Sequence, residues 1–98
     1  MAYKIVWSKR ADNKLDIIIS YLNKDWGGKT TITFLKKVFD FIDLLTEFPE
    51  IGSLEHRQKN IRGFTIIKQV NIFYKIKNHQ IIILDFFDNR QSPHKKRF

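Results

Sequence analysis

Arg62-Gly-Phe-Thr-Ile-Ile-Lys68, Val70-Asn-Ile-Phe-Tyr-Lys-Ile-Lys77 and Gln80-Ile-Ile-Ile-Leu-Asp-Phe-Phe87, closing on Asp88-Asn-Arg90-Gln-Ser-Pro93, are the runs that decide the fold. Each is dense in Ile, Val, Phe and Tyr, whose branched or flat side chains suit a pleated surface, and each is bounded by residues that permit turns. They read as three successive strands followed by a short basic tail over residues 91–98. Alternation in the middle run sets Val70, Ile72, Tyr74 and Ile76 on one face and Asn71, Phe73, Lys75 and Lys77 on the other. The first set faces a core, with Tyr74 among its members, and the second faces outward. Asn78-His79 suits a tight hairpin turn, because Asn adopts positive φ readily and His is less penalised there than most residues. The last run is apolar on both faces, Ile81, Ile83 and Phe87 against Ile82, Leu84 and Phe86, which predicts a central strand covered on both sides.

Outward from this sheet, Tyr3-Lys-Ile-Val-Trp7 reads as a further strand with Tyr3, Ile5 and Trp7 on one face. Ser8 stands where a helix N-cap belongs, its hydroxyl able to accept from a free first-turn amide, and Asp12 lies near the positive end of the dipole. From Lys9 to about Asp25, Ala11, Leu15, Ile18 and Leu22 recur at helical spacing, with Ile19 and Trp26 widening the stripe. Gly27-Gly28 breaks the helix. A second helix is predicted from about Lys29 to Glu47, with Leu35, Val38, Phe39, Ile42 and Leu45 in one stripe and Phe34, Phe41 and Phe48 broadening it. So wide an apolar surface fits a helix wedged between its neighbour and the sheet. Pro49 ends it. Residues 53–61 are polar and aperiodic and read as a mobile loop. The predicted order is strand, helix, helix, strand, strand, strand: an α+β fold with a helical hairpin on one face of a three-stranded antiparallel meander joined by the N-terminal strand.

Charge is segregated. Of 18 Lys and Arg, ten fall in residues 57–98 against two acids, Asp85 and Asp88, whereas residues 1–56 balance eight against eight, so the net +8 sits on the sheet half. Such a balance favours a polyanionic or acidic partner. A chain of 98 residues, 43% hydrophobic with nine Phe, is expected to form one domain over 1–98. The absence of cysteine excludes a disulfide framework or thiolate metal site, and His56, His79 and His94 lack metal-ligand spacing, so neither metal nor cofactor is expected. No run approaches the ~20 apolar residues of a bilayer span, and a cytoplasmic chain without membrane association is expected.

Taken in order, Tyr3-Lys-Ile-Val-Trp-Ser8 opening into a helix, the connector Phe48-Pro-Glu-Ile-Gly52, Ile72-Phe-Tyr-Lys-Ile76 and Ile82-Ile-Leu-Asp-Phe-Phe-Asp-Asn-Arg-Gln-Ser-Pro93 resemble the RelE/ParE superfamily, toxins of bacterial type II toxin–antitoxin systems of the plasmid-stabilisation type. The resemblance covers nearly the whole chain. It implies a compact toxin held inactive by a cognate antitoxin. Members of this superfamily differ in target: RelE-like toxins cut mRNA on the ribosome, and ParE-like toxins poison DNA gyrase. A metal-independent ribonuclease needs an activated 2′-hydroxyl, Arg or Lys to neutralise charge on phosphorus, and a proton donor. The resemblance places Asn71 where an active-site arginine would stand, and an amide cannot neutralise a phosphorane.

Arg90 matches a basic position of the family, Lys68 lies near it in the pattern, and His94 has a pKa suited to proton transfer. These three are the catalytic candidates for a nuclease. Arg90 would otherwise form an ion pair with Asp88 or Asp85. Arg62, Lys68, Lys75, Lys77, Arg90, Lys95, Lys96 and Arg97 are the candidates for contact with a target or nucleic acid. The leading expectation is a ParE-like toxin that inhibits gyrase by binding. The alternatives are a RelE-like mRNA endoribonuclease and a degenerate toxin that retains only antitoxin binding.

Overall fold

A computed structural model describes residues 2–89. The elements run β1 (Lys4–Trp7), α1 (Lys9–Trp26), α2 (Gly28–Glu47), β2 (Ser53–His56), β3 (Ile61–Ile67), β4 (Val70–Lys77) and β5 (Gln80–Asp88). The five strands lie in the order β1-β5-β4-β3-β2, antiparallel except for the parallel β1–β5 pair. The α+β expectation holds, but β5 lies between β1 and β4, second from the sheet edge, and only one of its faces is covered by the helices, with Ile82 and Leu84 half-buried on the other.

Ser8 caps α1 as its position predicts: its Oγ accepts from the Ala11 amide at 3.0 Å and donates to the Leu84 carbonyl at 3.0 Å, tying the helix start to β5. The buried residues of α1 are the four of the sequence stripe, Ala11, Leu15, Ile18 and Leu22. Gly27, at φ 89°, then turns the chain directly into α2. A side chain is strained at that angle, so a glycine is required there.

In α2 the buried set is Thr31, Phe34, Val38, Phe41, Ile42 and Leu45. The stripe is rotated from the one expected. Phe39 and Phe48 are exposed, and Phe34 and Phe41 enter the core instead. With aromatic or aliphatic residues nearly all round, spacing alone leaves the phase open, and the packing of α2 over α1 and β3 selects it. The main core lies between the helices and one sheet face, uniting the α1 and α2 stripes with Val70, Ile72, Tyr74, Ile81, Ile83 and Phe86.

Two further expectations are corrected. Residues 53–56 are not loop but the edge strand β2, pairing Ser53 with Gly63 and Leu54 with Arg62. An edge strand bonds on one side only and faces solvent, so polar, aperiodic residues suffice. In β5 the register passes from Tyr74–Ile83 to Phe73–Asp85, leaving Leu84 as an unpaired extra residue. This bulge reverses the alternation, so Phe86 joins the main core, and Phe87 packs on the open face with Ile61, Phe73 and Leu84. The β4–β5 turn has positive φ at both Asn78 and His79, as expected.

Candidate functional site

The connector between α2 and β2 is held by the core beneath it. The Tyr74 hydroxyl donates to the Pro49 carbonyl at 2.7 Å and accepts from the Gly52 amide at 2.9 Å. Tyr74 is fully buried. Burial pushes its phenol pKa up, against the smaller lowering effects of the Gly52 amide and the Arg62 charge. The hydroxyl therefore stays protonated and serves as a structural donor and acceptor. Arg62 acts beside it. Its Nη1 donates to the Gly52 carbonyl at 2.8 Å and to the Glu50 carbonyl at 3.2 Å, and its Nη2 lies 3.9 Å from the Glu50 carboxylate. At Gly52 a Cβ would lie 2.8 Å from both the Gly63 carbonyl and the Tyr74 hydroxyl, so only glycine fits.

The open face of the sheet carries a groove of about 420 Å³ lined by Ile51, Ser53, Glu55, Gly63, Phe64, Thr65, Asn71 and Phe73. Its shape follows from Gly63: a Cβ there would stand 2.7 Å from the Phe73 ring, and without one the ring lies down across β3 and is 99% covered. The polar wall is chained together, with Thr65 donating to Asn71 at 2.9 Å, Asn71 reaching Asn89 at 3.5 Å and Asn89 donating to the Lys68 carbonyl at 3.2 Å. On the other wall Ser53 donates to the Glu55 carboxylate at 2.7 Å. Among the described residues that line the groove none is Lys or Arg, and the one ionisable group is the Glu55 carboxylate.

The predicted cations are spread over the sheet. Lys68 is exposed on the β3–β4 turn, whereas Lys77 stands at the far end of β4, about 25 Å away along a strand of this length. Lys75 is half-buried on the open face between Ile61 and Ile82, and Arg62 lies on the opposite face beneath the connector. Arg90, His94, Lys95, Lys96 and Arg97 lie outside the described residues, as does the 91–98 tail. Asp85 lies 3.1 Å from Arg10 and 3.7 Å from Lys14, and Asp88 accepts from the Tyr21 hydroxyl. Among the described residues no group of three or more His, Asp or Glu is arranged to hold a metal, and no helix is long and apolar enough to cross a membrane.

Sequence reasoning passed over Ser53, Glu55 and Thr65, because they fell in a presumed loop or on a strand read for its apolar residues. Pairing Ser53 with Gly63 is what brings them to the groove.

The family model for the ParE toxin of the parDE type II toxin–antitoxin system matches residues 5–93. The chain belongs to the ParE toxin family. As a toxin of such a system it has an antitoxin as partner. Among solved structures, this ParE-family chain is similar to a chromosomal ParDE toxin–antitoxin system from P. aeruginosa at 16% identity and TM-score 0.73, covering 89% of this chain and 96% of the other. It is also similar to a conserved hypothetical protein from Helicobacter pylori, at 17% identity and TM-score 0.51, covering 91% of this chain and 97% of the other. At these identities the likeness is one of fold. No curated protein matches the sequence.

Proposed function

We propose that this ParE-family toxin acts as a single domain in the cytoplasm by binding DNA gyrase, rather than by cleaving RNA, and that a cognate antitoxin neutralises it by covering its surface. The observation that carries this reading is the open-face groove, whose wall of Ser53, Glu55, Thr65 and Asn71 offers hydroxyls, an amide and a carboxylate and, among the described residues, no Lys or Arg. Phosphodiester cleavage without a metal develops negative charge on the phosphoryl oxygens, which a carboxylate, able to take the 2′-hydroxyl proton, cannot neutralise. Lys68, Lys75 and Lys77, with Arg90, Lys95, Lys96 and Arg97, are then contact residues whose charge steers an acidic partner to the sheet half. Arg62 contributes through the connector that it holds.

The test is inducible expression with two assays in the same cells, cleavage of a reporter mRNA and accumulation of gyrase-linked DNA breaks. Breaks with intact mRNA are expected. Cut mRNA with intact DNA would overturn the reading and make Lys68, Arg90 and His94 the first residues to substitute. Neither signal would leave a module that only binds its antitoxin.

A further inference from the structure

Between Val38 and Glu55 the chain carries five acids, Asp40, Asp43, Glu47, Glu50 and Glu55, and no Lys, Arg or His. In a molecule of net charge +8 this is an isolated block of opposite sign. The fold sets Asp40, Asp43 and Glu47 on α2 and Glu50 on the connector, and Glu55 across the sheet edge in the open-face groove. Within α2 the acids nearest its C-terminus, Asp43 and Glu47, work against the helix. Asp40 and Asp43 are three residues apart and Asp43 and Glu47 four, where like charges repel, and the last turn holds no base to offset the negative end of the dipole. No described base lies within ion-pair distance of Asp40, Asp43 or Glu47, and Glu50 meets Arg62 only at 3.9 Å.

The C-terminal half of α2, the connector and β2 also expose large apolar side chains. Phe48 is 56% exposed and Ile51 41%, and Leu44 and Leu54 are similarly open. Three shallow concavities run together here: Ile51 lines both the connector pocket and the open-face groove, and Phe64 lines both that groove and the cleft between α2 and β3 beside Leu44. Lys37, at the far end of that cleft, is the one base among its described lining residues. The connector that presents Phe48 and Ile51 is fixed from below by Tyr74, Arg62 and Gly52, so little ordering remains to be done when a partner arrives.

We infer that this acidic, apolar surface is a second interaction site that receives a segment of a partner protein in which Lys or Arg alternates with aliphatic residues. Charge complementarity selects the occupant: carboxylates flanking exposed Phe48 and Ile51 attract a cationic amphipathic segment and repel an acidic one, whereas the basic sheet half does the reverse. This surface is separate from the cations assigned to the gyrase contact, and the inference stands whether or not that assignment does.

The test uses the purified full chain and a short labelled amphipathic peptide of leucine and lysine, with a leucine–glutamate peptide of the same pattern as its counterpart, followed by fluorescence anisotropy. The leucine–lysine peptide is expected to bind and to weaken about tenfold or more in the Glu47→Gln/Glu50→Gln variant and in Phe48→Ser. Asp12→Asn/Asp16→Asn, on α1, should leave its binding unchanged. All the substituted side chains are exposed, and thermal unfolding verifies that each variant is folded. Equal affinity across the variants, or leucine–glutamate binding that these same substitutions weaken, overturns the inference. Self-association of the chain that Glu47→Gln/Glu50→Gln abolishes overturns it too, by assigning the surface to a second copy.

Discussion

The two helices of the hairpin solve the same problem in opposite ways. α1 begins on a Ser8 side-chain cap, carries Asp12 in its first turn and Lys24 in its last, and buries one stripe at helical spacing, although Ile17 and Trp26 are exposed. The cap, the charges and the stripe agree with the helix dipole and with the helical period. α2 begins on Gly27 with no side-chain cap, has no acid in its first turn and no base in its last, and exposes Ile32, Phe39 and Leu44 while burying Phe34 and Phe41. It is held by core burial and gains little from its own termini. The contrast teaches that α1 is built for stability, whereas α2 has spent local stability on its surface, which is where interaction is expected.

The sharpest way to break this contrast is to remove the burial on which α2 depends. Phe34→Ala, at a site 1% exposed, should cost about 3–5 kcal/mol in chemical denaturation. A loss near that of an exposed substitution would mean that α2 is held by something other than its core face. Next comes the connector. Tyr74→Phe should lose about 1–3 kcal/mol, because the Gly52 amide and Pro49 carbonyl are left without their buried partner. The same variant carries a pH signature. The folded-state pKa of Tyr74 is raised above its unfolded value, so its contribution is full below the unfolded phenol pKa and is lost as pH rises through the folded one. Wild type should therefore lose stability relative to Tyr74→Phe above about pH 10 in an alkaline unfolding series.

Smaller effects separate the helices themselves. Ser8→Ala should cost about 1 kcal/mol by freeing the Ala11 amide, measured as a shift in the denaturation midpoint. Glu47→Lys should act in the other direction, stabilising by about 0.3–1 kcal/mol because it replaces an acid by a base at the negative end of α2. The same substitution should abolish binding of the leucine–lysine peptide. A substitution that improves folding while removing an interaction would identify Glu47 as retained for the interaction.

Much of this was legible in the chain because it depends on local pattern. The Ser8 cap, the four-residue stripe of α1, the break at Gly27 and the positive-φ turn at Asn78-His79 each rest on a few neighbouring residues whose chemistry permits one outcome. A resemblance to the RelE/ParE superfamily could be read from segments in fixed order, and the match of residues 5–93 to the ParE toxin family agrees. The groove was not legible. Its members Ser53, Glu55, Thr65 and Asn71 come from three strands, and one of those strands had no hydrophobic alternation to announce it.

What the sequence by itself determined is therefore the order and type of most elements and the segregation of charge, since periodicity, caps and composition act over one helix turn or one strand. The tertiary structure alone decided which apolar face points where. β5 and α2 are apolar on more than one side, so their patterns carry no phase. The phase of β5 came from the extra residue Leu84, which exchanged Phe86 and Phe87, and that of α2 from the fit of Phe34 and Phe41 over the sheet. Edge strand β2 exists because β3 offers it a row of backbone partners, a condition that no property of Ser53–His56 expresses.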